Sequence, residues 1–271
     1  MKRIFIFFIL LVSTSFLYGQ DIVATTSVIS SVIDDISGKQ IKVSTLVPAG
    51  SCPGHFDLKI GHLVTIEKKG ILFAQGYEEY LTKIKDSIKN PKFTIYIVDV
   101  DGNWLIPANQ ITVYEKVADI LFKLYPQKKH LFTKNITRGV KRIKITDKSA
   151  KEMIISKKMY DLPVICNSHL KDFLEYLGFK VVATYGRKEE LTPEIIRNLL
   201  IEAKNNNVKL IIDNIQAGQD TGKVLTKHLN IPHSSISNYP GVFPNTQTLR
   251  QTLCENIKKI VTDYETFNTA K

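Results

Sequence analysis

The sequence predicts an α/β protein: two similar parallel-sheet lobes joined by a single long bridging helix, with a ligand cleft between the lobes. Three observations carry this. Short apolar runs without polar alternation recur between helical segments, as parallel strands covered on both faces require. That rhythm runs once in each half of the chain. One long basic segment of helical spacing separates the two halves.

The elements follow in order. Residues 1–20 read MKRIFIFFILLVSTSFLYGQ. Lys2 and Arg3 precede an unbroken apolar run from Ile4, which ends at Val12. A bilayer span needs about 20 apolar residues, so this run reads as a cleaved secretory signal rather than an anchor. No cysteine stands at the junction, so a lipoprotein anchor is not expected, and the protein is read as periplasmic or secreted. The N-terminal lobe is read as 21–126, with strands at 22–26, 41–47, 71–74 and 93–98, the last one buried. Helices fall at 28–36, 61–69, 78–88 and 108–124, the first stopped by Gly38 and the last by Pro126. The bridge is read as 127–158, where Phe132, Ile136, Val140, Ile143, Ala150 and Ile154 recur at steps of three, four or seven. The C-terminal lobe, 159–271, has strands at 163–167, 181–184, 208–213 and 233–237. Its helices are read at 168–177, 192–206, 219–229 and 248–262, with Thr192 as an N-cap before Pro193 and Gly178 as a stop.

Composition excludes several classes. The 271 residues are 44% apolar and 23% charged with three cysteines, which rules out disorder, collagen and a disulfide-stapled miniprotein. The net charge of +11 admits a nucleic-acid binder, a membrane-surface protein or a lysine-rich background. Export argues against nucleic acid. Removing Lys2 and Arg3 leaves 35 basic against 26 acidic residues, or +9.

Ligands of parallel sheets bind beyond the carboxyl ends of the strands. Two of those loops carry the spacing C-x-x-H, at Cys52 and His55 and at Cys166 and His169. Thiolate and imidazole are ligands for zinc and other borderline or soft metals, and one pair from each lobe would close a four-ligand site. Each residue also has a plainer reading: Cys166 as a core thiol, Cys52 as a free or disulfide-bonded loop cysteine, His169 as a surface residue. His62, His130, His228 and His233 read as helix-surface or strand residues, and Cys254 as buried in the last helix. Trp104 either lines a pocket or packs between lobes, and Asp213 and Asn238 are polar candidates at strand ends. There is no G-x-S-x-G, no H-E-x-x-H and no P-loop. Cys52 and His55 would also suit a thiol nucleophile and its base.

Three segments and the bridging helix resemble the periplasmic metal-binding proteins of the zinc/manganese ABC-transporter family. They are 46–55 (LVPAGSCPGH), 102–107 (GNWLIP) and 237–241 (SNYPG). The resemblance implies a non-enzymatic, monomeric binding protein that delivers a divalent metal to an inner-membrane ABC permease, with no nucleic-acid partner. It also implies three histidines and one acidic residue as ligands. His55 matches the first. The second position is Gly102, the third falls near Asn167 or His169, and the fourth is Asn238. Cys52 and Cys166 would replace what Gly102 and Asn238 cannot supply. The expected ligand set is therefore His55, His169, Cys52, Cys166, Asp57 and Asn238. Zn²⁺ is the expected cargo, with Mn²⁺, Fe²⁺ or Cu⁺ as others. A binding protein for a metal chelate or organic ligand, with Trp104, Tyr239 and Phe243 around it, is the alternative within the class. An extracellular Cys–His enzyme is the alternative outside it.

Overall fold

A computed structural model describes residues 21–270. The predicted signal lies outside the described residues. The N-terminal sheet is β1 (Ile22–Ala24), β2 (Val43–Thr45), β3 (Ile71–Ala74) and β4 (Thr94–Ile97), with α1 (Ser27–Ser37), α2 (Ile60–Lys69) and α3 (Tyr80–Ser87) as crossovers. After α4 (Pro107–Leu124) and one 3₁₀ turn comes α5 (Lys129–Ser156), the long helix. The second sheet is β5 (Pro163–Asn167), β6 (Lys180–Tyr185), β7 (Leu210–Asn214) and β8 (His233–Ile236), with α6 (Lys171–Leu177), α7 (Pro193–Asn205) and α8 (Asp220–Leu229) between them. The last helix, α9, spans Leu249–Thr269.

Both sheets are wholly parallel and share one order, β2-β1-β3-β4 and β6-β5-β7-β8. Each therefore reverses direction between its first and third strands. Such a switch point opens a crevice at the carboxyl ends. β4 differs from its reading as a buried strand. It is the edge of its sheet, and Thr94 and Ile97 are exposed. Its apolar sequence alone could not reveal that nothing packs beyond it.

One apolar core runs from β1 and α1 through α4, α5 and α9 to β5 and β7, so the lobes share it. Smaller clusters cover the outer face of each sheet. On α5, Phe132, Ile143, Ala150 and Ile154 are buried, while Ile136 and Val140 are half-buried. Burying a Phe side chain contributes about 2–3 kcal/mol, so Phe132, with half-buried Leu131 and Ile136, anchors the first turns of the bridge. Lys134, Arg138, Lys141, Arg142, Lys144 and Lys148 fill its exposed face. Among the described residues no helix is long and apolar enough to cross a membrane.

Candidate functional site

The loops after the strands of both sheets enclose one cavity of about 1150 Å³. Each wall is set by local sequence. Pro53 starts a single 3₁₀ turn, Pro53–His55, with His55 N donating to Cys52 O at 3.2 Å. This leaves Cys52 half-buried on the cavity wall and His55 exposed, outside that wall.

Arg187 reaches that turn from the opposite lobe. Its Nη2 donates to Cys52 Sγ at 2.7 Å, and its Nη1 is 2.7 Å from His55 Nε2. A guanidinium only donates. Nε2 of His55 is therefore the acceptor, and the ring proton is on Nδ1. The loop after β6 is built to hold Arg187. A Cβ on Gly186 would lie 1.7 Å from Glu190 Oε2, so only glycine lets that carboxylate approach. Glu190 Oε2 accepts from Arg187 N at 3.4 Å, and Lys188 pairs with Asp220 at 2.9 Å. Asn167 Nδ2 donates to Gly186 O at 3.2 Å.

Amides tie the rest of the cleft. Asn103 Nδ2, from the N-terminal lobe, donates to His169 O at 2.9 Å and to Asn238 Oδ1 at 3.1 Å. Asn238 Nδ2 donates to His169 O at 3.2 Å. Gln216 Nε2 donates to Ala49 O at 2.7 Å, and its Oε1 accepts from Asn238 N at 3.2 Å. The Tyr77 and Tyr239 hydroxyls meet at 2.8 Å. Burial first, then the nearby Cys52 and Glu78, push the Tyr239 hydroxyl up to about 12 against the pull of Tyr77. Glu78 is buried and lines the cavity. It accepts from Thr25 Oγ1 at 2.5 Å, Gln75 N at 3.0 Å and Gly76 N at 2.7 Å.

The expected ligand set does not assemble. Among the described residues no three His, Cys, Asp or Glu side chains converge where they could hold a metal ion. Cys166 is fully buried on the core face of β5, and burial pushes its thiol far above its ordinary value. It faces away from the cleft, so the two C-x-x-H pairs cannot close one shell. Asp57 is exposed beyond the 3₁₀ turn and is not part of the cavity wall. Asn238 is at the cleft, with its amide engaged in the ties above. Gly102 has φ +78°, and a Cβ there would meet Asn109 Nδ2 at 3.0 Å, so a histidine in this turn would be strained. His169 lines the cavity, and among the described residues its hydrogen bonds are those of its backbone N and O, not of its imidazole. Cys52 and Cys166 are both free thiols, and Cys254 is exposed rather than buried. Trp104 packs into the shared core, donates from Nε1 to Val100 O at 2.7 Å, and shows one edge to the cavity. Phe243 lies under Lys259 at 5.2 Å, outside the cleft wall. Arg187 and Glu78 carry no motif, and Gln216 is marked in the sequence only by the Asp213–Gln216 segment after its strand. Their position just after β6, β3 and β7 was the available signal.

Two parallel-sheet lobes with one cleft at their shared carboxyl ends define a solute-binding protein. The chain belongs to the ZnuA family, described as zinc-uptake complex component A, periplasmic, whose model matches residues 22–262. It is a substrate-binding component of the metal ABC transporter class, extracytoplasmic and not an enzyme. That sets aside the Cys–His enzyme. Relatives include the metal ABC transporter substrate-binding lipoprotein SsaB of Streptococcus sanguinis, 24% identical over 79% of each chain. The iron ABC transporter substrate-binding lipoprotein MtsA of Streptococcus pyogenes serotype M1 is 24% identical over 68% of each. In fold, the chain is similar to the Mn-bound periplasmic metal binding protein of Candidatus Liberibacter asiaticus, at TM-score 0.76 and 17% identity, covering 92% of this chain and 99% of that one.

Proposed function

We propose that the cleft captures a divalent transition metal as its complex with a small organic carboxylate, and delivers that complex to an inner-membrane ABC permease. The observation that supports this is Arg187, whose guanidinium is 2.7 Å from both His55 Nε2 and Cys52 Sγ. Imidazole and thiolate are donors for zinc and its neighbours once Arg187 turns from them to the ligand, but two donors do not fill a tetrahedral shell. A chelator supplies the missing oxygens, and a guanidinium pairs with a carboxylate in a bidentate fork. The amides of Asn103, Gln216 and Asn238 and the two tyrosine hydroxyls, which bond one another and the backbone across the cleft, would exchange some of those bonds for polar groups of the ligand. A cavity of about 1150 Å³ has room for them. Zinc leads among the metals because the protein donors are nitrogen and sulfur. Mn²⁺, Fe²⁺ and Cu⁺ follow. The lobes at 21–126 and 159–271 act as jaws on the bridge at 127–158. Their shared core keeps the closing motion small.

A second reading is a bare ion on His55, Cys52 and His169. It is favoured by the imidazole of His169 on the cavity wall that Cys52 also lines, and, like the first reading, it requires Arg187 to release His55 and Cys52. Thermal unfolding of the metal-free protein separates the two. Zn²⁺ and Mn²⁺ are added as free ions or as citrate complexes. The proposal expects a rise in Tm of several degrees with the complexes and none with the free ions. Stabilisation by free ions alone supports the second reading. No response to either overturns both.

A further inference from the structure

We propose a second site, for a small tetrahedral oxyanion, in the joint between the lobes on the helical side. A cavity of about 280 Å³ opens where α1, α4, α5 and α9 meet. Arg138 and Arg142, both largely exposed and one turn apart on α5, line its mouth together with half-buried Arg250 in the first turn of α9. Asp35 is the one acidic side chain in the lining. Three guanidiniums against one carboxylate leave two positive charges in excess around one small space.

These charges are not used by the fold. Among the described residues none of the three guanidiniums makes an ion pair, while Asp35 Oδ2 already accepts from Tyr114 OH at 2.5 Å. The neutral groups nearby are engaged elsewhere. Asn135 Nδ2 donates to Ile36 O at 3.0 Å, and Thr248 and Gln251 cap α9 reciprocally. That leaves the guanidiniums as the donors free to take a ligand. The floor is built for closeness, since a Cβ on Gly139 would meet Tyr114 Cε1 at 2.8 Å. Burial and then Asp35 hold the Tyr114 hydroxyl far above its ordinary value, while Arg250 and Arg142 pull it down, so both guanidiniums act on the cavity floor. The N-terminus of the 21-residue α9 adds its partial positive charge. Unneutralised, three like charges repel. An oxyanion converts that repulsion into charge-assisted hydrogen bonds. The volume suits an ion of phosphate size with its water, not a polypeptide segment. Such an ion ties α5 to α9, and so braces the joint on which the lobes move.

The test uses the mature chain, with sodium phosphate against sodium chloride at equal ionic strength. The proteins are wild type, the double variant Arg142→Gln/Arg250→Gln, and Arg187→Ala as a control for the cleft. The proposal expects phosphate to raise the wild-type and Arg187→Ala midpoints saturably, by several degrees beyond chloride. It expects the double variant to be at least as stable as wild type in chloride, because repulsion is relieved, and to give no phosphate response. A double variant that is less stable in chloride yet keeps the response overturns the site. So does a wild type that treats phosphate like chloride, or a response lost in Arg187→Ala.

Discussion

Cys166 and Arg187 show how one residue's facing decides its chemistry. Side chains on a strand alternate between faces. Val164 and Cys166 share the core face of β5, and Ile165 points to the outer cluster. The thiol was legible as a core residue from that alternation, and the C-x-x-H spacing pointed the wrong way. Arg187 carried no motif at all. One arginine after an apolar run is common, and only the fold brings it 2.7 Å from two side chains of the other lobe. Replacing Cys166 by Ala removes a buried sulfur and should cost about 1–2 kcal/mol of stability through the cavity left behind. Ligand affinity should be unchanged. Equilibrium urea unfolding beside calorimetry checks both parts, and a loss of affinity without a loss of stability would return Cys166 to the ligand set.

At the scale of elements, caps and stops are legible in the sequence and the ends of long helices less so. Gly178 terminates α6 with φ +96°, and the Thr192 hydroxyl accepts from Ile195 N at 3.2 Å. The last helix was read as ending near 262 but runs to Thr269, because Tyr264 continues its apolar stripe onto the shared core. The start of α8 shows a constraint that sequence could not reveal. Gly222 lies against buried Asp213 and half-buried His233, whose Oδ2 and Nε2 are 2.7 Å apart. A Cβ there would be 2.2 Å from Asp213 Oδ2 and 2.6 Å from His233 Nε2. Gly222→Ala therefore forces α8 away from β7 and β8. The expected cost is about 1–3 kcal/mol, larger than the gain of Ala over Gly in a helix. A variant as stable as wild type in chemical denaturation would contradict this packing.

Across the whole molecule, the fold class, the repeated succession of elements and the bridge were legible because they rest on periodicity, whereas the shared strand order is seen only in the structure. The site was half legible. His55 and Cys52 lie together, but what faces them depends on long-range placement. The charge excess also acts at this scale. A basic surface repels a bare cation and attracts an anionic complex, within about 8–10 Å at physiological salt. Titration is the other molecular property. Burial holds the acids of Cys166, Tyr80, Tyr114 and Tyr185 above their ordinary values of 9.0 for the thiol and 10.0 for the tyrosines. Tyr125 is pushed up to about 12, chiefly by burial. Such groups stay protonated in the fold while the unfolded chain releases its protons. Their contribution is whole below the ordinary values and is lost as pH rises above them. The urea midpoint should fall steadily above a pH of about 9, starting with the thiol, and a flat profile up to about pH 11 would contradict the burial of these groups.

The central claim is that Arg187 receives the carboxylate of a metal chelate. Isothermal titration of wild type and Arg187→Ala with zinc citrate and with free Zn²⁺ tests it most directly. Loss of one charged hydrogen-bonding partner is worth about 1.5–3 kcal/mol, roughly a 10- to 100-fold weaker Kd. The account predicts that loss for zinc citrate, with free zinc weak in both proteins. Tighter binding of free Zn²⁺ by Arg187→Ala, with zinc citrate unaffected, would contradict it.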